Sequence, residues 1–198
     1  MTVIRGLIFD WDGVWTDGRK RPDGHSEFSE HDAMGLNLVR FAHYLHTGEM
    51  LRVAVVTGER NLTAEYLVQR EHVDDFFFYA RDKTKVIPFL TAKWNVDPSE
   101  WAFVFDDVLD LGLAKRVGHR AMVAWPWTES VRNVAQNQQL VDEWVATPSP
   151  VRRWCEHYLA TQGWLEAAVN GRQHVTEAYT TYWSLRNEVT PEVVDLSR

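Results

Sequence analysis

One cysteine in 198 residues, Cys155, leaves no internal disulfide to form, which fits a reducing compartment. No apolar run approaches the roughly 20 residues that cross a bilayer. The opening stretch MTVIRGLIFD lacks the basic, apolar and small-residue order of a signal peptide. These absences lead us to expect a soluble, cytoplasmic protein without a membrane partner. Positive charge is also scarce. Lys and Arg number 21 against 28 Asp and Glu, a net charge of −7, so the basic stripe of a nucleic-acid binder is missing. A small anionic ligand stays open, because the charge lining a cleft matters more than the total. Internal repeats and low-complexity segments are absent too. Tryptophan is plentiful: ten copies suit tight cores and interfaces.

Apolar stretches recur about 25 residues apart and alternate with helical patterns. Strands are expected at Val3–Phe9, in LRVAVVTGE, in VDDFFFYA, in WAFVFDDVLD and in RAMVAW. Between them, Met34, Leu38, Phe41 and Leu45 have helical spacing, with Gly48 to end that helix. Residues 61–71 and KTKVIPFLTAKW also suit helices, Pro88 either falling in a first turn or kinking the second of them. TDGRKRPDGHSEFSE carries two turn signals and reads as a small hairpin excursion over residues 16–30. After Glu129 the pattern is helical or irregular. The fold class is therefore α/β: three layers, Rossmann-like, with a parallel central sheet and added C-terminal helices. An aromatic stripe including Tyr158, Tyr179, Tyr182 and Trp183 must bury on the chain's own core or at a subunit contact, and a subunit contact is the expectation.

Ligands of such sheets bind at the carboxyl ends of the strands. Three of these strands end in polar groups: Asp10 and Asp12, then Thr57-Gly58-Glu59, then Asp106-Asp107. Carboxylates converging from two strand ends suit a hard cation such as Mg²⁺. A carboxylate beside that cation can act as a nucleophile on phosphorus, and one two residues on can serve as acid and base. Gly13 permits a sharp turn that presents backbone N–H groups, Thr57 offers a hydroxyl and Lys83 a point charge, with Lys85 as its fallback. Such a set positions and stabilises a transferring phosphoryl group.

The stretch FDWDGVWTDG resembles the first motif of the haloacid dehalogenase (HAD) superfamily; VVTGE, RDK and FVFDDVLD resemble its second, third and fourth. The short gaps between them resemble the capless subclass, that of 3-deoxy-octulosonate-8-phosphate and neuraminate-9-phosphate phosphatases. The resemblance covers about residues 4–160, leaving 1–160 as the catalytic domain and 161–198 as a helical extension. It implies a Mg²⁺-dependent phosphatase of a small phosphorylated metabolite, foremost a sugar acid phosphate, with a nucleotide or other sugar phosphate as the alternative. It implies Asp10 as nucleophile and metal ligand, Asp12 as acid/base and ligand through its carbonyl, and Asp106 completing the metal site. Thr57 and Lys83 would hold phosphoryl oxygens, with Asp107 and Asp110 in support. Gly58, Glu59, Arg60, His31 and Asp32 are candidate substrate contacts, and a homo-oligomer, a tetramer in such relatives, is implied.

Plainer roles stand beside these. Thr57 could cap the next helix, Asp107 could pair with Lys83, and Asp110 could be an ordinary helix-start acid. Phe105 occupies a position where the family usually has Gly, which keeps a catalytically degenerate scaffold in view. A phosphorylated signalling receiver is disfavoured. In a receiver, the acceptor lies one strand after the acidic pair and lacks an acid two residues on.

Overall fold

The computed structural model describes residues 2–197. Seven strands form one parallel sheet in the order β6-β5-β4-β1-β2-β3-β7. They are β1 (Gly6–Asp10), β2 (Arg52–Val56), β3 (Asp75–Phe78), β4 (Trp101–Phe105), β5 (His119–Val123), β6 (Glu143–Val145) and β7 (Glu192–Asp195). The central strands are nearly all apolar because both of their faces are covered. Alternation sorts their side chains: Leu7, Phe9, Val53, Val55 and Val104 enter one core, while Ile8, Ala54, Val56, Phe103 and Phe105 enter the other.

The first core is covered by α1 (Glu30–Thr47), α2 (Leu62–Arg70), α6 (Pro150–Gln162), α7 (Leu165–Gln173) and α8 (Glu177–Glu188). The second lies under α3 (Val86–Trp94), α4 (Leu111–Ala114) and α5 (Glu129–Asn137). Ser29 starts α1 by accepting a hydrogen bond from the His31 backbone N–H, and Gly48 ends it in the left-handed region. Pro88 sits in the first turn of α3, where its missing N–H costs nothing.

Two expectations change. Residues 16–29 make a loop with a turn from Arg21 to His25 and contain no strand. The run DGRKRPDG holds no alternating apolar side chains, and so no face on which a ladder could be buried. The aromatic C-terminal stripe, expected between subunits, is largely buried within this chain. Tyr179 and Tyr182 pack on Phe41 of α1 at ring distances of 5.0 and 5.5 Å, and Tyr182 is fully buried. The chain then runs on into β7, which pairs with β3, so residues 161–197 share the sheet and core of the segment before them. Among the described residues no helix is long and apolar enough to cross a membrane.

Candidate active site

The carboxyl ends of β1, β2 and β4, with the segment after β3, enclose a cleft of about 380 Å³. Asp10 is the last residue of β1 and is buried. The chain then folds back, Trp15 N–H donating to the Trp11 carbonyl at 2.9 Å. Gly13 has φ +85°, and a Cβ there would meet the Asp106 carboxylate at 1.9–2.9 Å. Only glycine allows this turn to lie against the end of β4.

Thr57 follows β2, its N–H donating to Phe77 O at 2.9 Å, and its side chain is buried in the cleft. It does not cap α2; the Asn61 side chain does, accepting from the N–H groups of Thr63 and Ala64. Lys83 stands just after Asp82, whose side chain accepts from Thr84 N–H and fixes a short 3-10 turn. Its buried ammonium donates to Asp10 Oδ1 at 2.5 Å and to Asp110 Oδ1. Lys85 lines a separate depression with Tyr79 and Arg81, so Lys83 is the lysine of the cleft. Asp107 does not pair with it. Asp107 and Asp110 instead form a capping box after β4: Val108 N–H donates to Asp107 Oδ1 at 2.7 Å, and Asp107 N–H donates to Asp110 Oδ2 at 3.1 Å. That box aims Asp110 at Lys83.

The electrostatics are dominated by crowded acid groups. Burial, with a push from Asp110, lifts Asp10 to about 7 despite the pull of Lys83. Burial, then Asp10, Asp110 and Asp107, lifts Asp106 to about 9. Burial opposes the charge on Lys83, but Asp10 and Asp110 outweigh it and hold the ammonium above its ordinary value. Carboxylate oxygens of Asp10, Asp106 and Asp110 lie within 4.8 Å of one another. Lys83 gives both its ion pairs to Asp10 and Asp110, leaving Asp106 facing like charges. A trio of hard oxygen donors with surplus negative charge fits a divalent cation.

Asp12 lines the cleft with its side chain outside that trio, paired with Lys20 at 2.5 Å. Gly58 and Glu59 also line the cleft. The structure does not bring Arg60, His31 or Asp32 to it. Arg60 bonds Glu65 at 2.7 Å and lies over the Phe78 ring. His31 is exposed on α1. Asp32 is buried, accepts from Arg152 N–H at 2.8 Å and lines the adjoining depression. Phe105 stacks on Phe103 at 5.2 Å in the second core, so this substitution leaves the cleft unfilled. Trp11 and Trp15 are likewise buried and stack on each other. The sequence reading missed Asp17, Lys20, Trp125 and Trp127. Asp17-Gly18 reads as an ordinary turn and Trp125 as the end of a strand, and nothing in the order of residues says that either faces the cleft.

No family model matches the chain. Among solved structures it is similar to a protein of Legionella pneumophila assigned to subfamily III A of the HAD superfamily hydrolases, with 26% identity, 86% of this chain and 90% of that one covered, and a TM-score of 0.69. It is similar to a Pseudomonas syringae protein assigned to the YrbI phosphatase family at 25% identity, 86% and 93% coverage and a TM-score of 0.70. The 3-deoxy-D-manno-octulosonate 8-phosphate phosphatase of Moraxella catarrhalis, solved with magnesium ion, phosphate ion and KDO, shares its fold at 21% identity, 84% and 92% coverage and a TM-score of 0.67.

Proposed function

We propose that this chain, a phosphatase-type hydrolase of the haloacid dehalogenase superfamily by fold, hydrolyses the monoester of a small phosphorylated metabolite through an aspartyl-phosphate on Asp10. The observation that carries the reading is the meeting of Asp10, Asp12, Thr57, Lys83 and Asp106 in one cleft. An Asp10 carboxylate oxygen attacks phosphorus as the ester P–O bond breaks, and Asp12 gives the departing oxygen its proton. Asp12, now a carboxylate, takes a proton from water. The water oxygen attacks phosphorus, releasing inorganic phosphate and restoring Asp10. Lys83 and the Thr57 hydroxyl hold the phosphoryl oxygens. A divalent cation, Mg²⁺ in this reading, would be held by Asp10, Asp106 and Asp110 with the Asp12 carbonyl. It would supply charge neutralisation to the phosphoryl group.

A phosphorylated sugar acid is the substrate class suggested by the Moraxella relative, whose structure holds KDO and phosphate. A cytoplasmic homo-oligomer, a tetramer by resemblance, belongs to the same proposal. Exposed Leu62 and Tyr66 on α2 support an interface, and a 23.0-kDa species by sedimentation would count against one. The deciding experiment follows phosphate release from an aryl phosphate and a panel of sugar, sugar-acid and nucleoside phosphates, with and without Mg²⁺. Asp10→Asn is expected to bring turnover below detection, and Asp12→Asn to lower it about 10²–10⁴-fold. If no ester gives Mg²⁺-dependent release, the proposal is wrong.

A further inference from the structure

One part of the cleft has no role in phosphoryl transfer: the Trp125-Pro126-Trp127 turn on its rim. Trp125 is fastened to the catalytic turn, its indole N–H donating to the Gly13 carbonyl at 2.7 Å. Trp127 lies parallel to it, with ring centroids 4.7 Å apart and 14° between planes. Pro126 fixes the backbone between them, and the Thr128 hydroxyl donates to Trp125 O at 3.1 Å. Yet Trp127 is 63% exposed. A large apolar ring stacked by one face at a site mouth, with the rest in water, is a platform in search of an occupant.

The charges around it narrow the occupant. Asp17, Glu59 and Asp107 are exposed acids on the same lining. Lys83 is the single cation among the described residues that line the cleft, and Asp10, Asp110 and the phosphoryl group take it; Lys20, beside the lining, is taken by Asp12 at 2.5 Å. The adjoining depression shares Asp17 and Trp125 with the cleft. Phe28, Pro148 and Pro150 line it together with Glu27 and Asp32, and no lysine or arginine is among its described lining residues. An acid group on the leaving alcohol would find like charges and no partner in either place.

We infer that Trp127 is the specificity-determining seat of the leaving group, and that the substrate is the monophosphate of an uncharged, ring-bearing alcohol whose face stacks on the indole. Phosphorylated nucleosides and neutral sugars have this chemistry, and phosphorylated sugar acids do not. The inference rests on the phosphatase reading for the phosphoryl end and, from the charge of this chain's own lining, sets aside the sugar acid class that the Moraxella relative suggests.

Phenyl phosphate, 4-carboxyphenyl phosphate and ethyl phosphate separate ring from charge. Their binding is measured by calorimetry with Mg²⁺ on Asp10→Asn, and their turnover on the unaltered chain. Phenyl phosphate is expected to bind about tenfold or more tighter than either of the others. Trp127→Ala in the Asp10→Asn background removes most of that margin, and Trp127→Phe keeps it; the exposed position leaves the core intact in both. Equal or tighter binding of the carboxylated ester, a margin untouched by Trp127→Ala, or no binding of any ester overturns the inference. Preferential binding without turnover of any ester sustains the platform and overturns the phosphatase reading alone.

Discussion

Lys83 is a buried cation among three buried carboxylates, and its removal tests how the cleft is held together. Lys83→Met leaves Asp10, Asp106 and Asp110 facing one another with no counter-charge. Breaking a buried pair on one side costs about 3–5 kcal/mol. We expect a loss of that size in urea unfolding without divalent ions, together with loss of phosphate release. Stability unchanged from the parent would mean that the lysine is not the clamp. His43 is a second residue with a readable consequence. It is buried in α1 with its Nδ1 lacking a partner, and burial chiefly lowers it to about 4. Between about 4 and 6.5 the unfolded chain binds the proton that the folded chain refuses, so folding is favoured above this window and weakened as pH falls through it. The effect is up to ~3 kcal/mol. Asp32, Asp10 and Asp106, raised mainly by burial to about 6, 7 and 9, act in the opposite sense, so the difference between two chains isolates the histidine. From pH 8 to 5 the Tm of His43→Leu is expected to gain steadily on that of the parent. Parallel curves would refute it.

At the level of elements, the five central strands were legible because each is a short apolar run ending in turn or acid signals. The edge strands were not. Glu143-Trp144-Val145 and Glu192-Val193-Val194-Asp195 are short and half polar, and their pairing is decided by distant partners in β5 and β3. The motif acids at the ends of β1 and β4 were legible for the same reason that the strands were. The Trp125-Pro126-Trp127 platform was not, because its place depends on a hydrogen bond spanning 112 residues of sequence. The same dependence on distance governs α8. Its helical spacing was visible, but the surface it covers is Phe41, and that contact is a matter of tertiary packing. Tyr182→Ala is therefore expected to cost about 3–5 kcal/mol in urea unfolding, as a core aromatic does. A cost under about 0.5 kcal/mol, as at a surface site, would return the stripe to an intersubunit role.

For the whole molecule, the site draws on chain positions from Asp10 to Asp110 that meet only when the parallel sheet is complete. The unfolded chain cannot assemble three carboxylates within 4.8 Å, so a cation that binds them binds the folded state. Mass action then sets the gain: at about 100 times its dissociation constant a ligand adds ~2.7 kcal/mol. For a chain of this size that corresponds to a rise of roughly 5–10 °C in Tm. Magnesium chloride is expected to produce such a rise, and sodium chloride at equal ionic strength is not, since screening alone does not fill an oxygen-donor site. Asp106→Asn supplies the control from the protein's side. It removes a carboxylate that no lysine or arginine among the described residues pairs with, so the metal-free protein should be no less stable than the parent, while the magnesium-dependent rise disappears. A rise that survives in Asp106→Asn would place the cation elsewhere on this acidic surface. The absence of any rise in the parent would leave the three carboxylates without the partner their crowding requires.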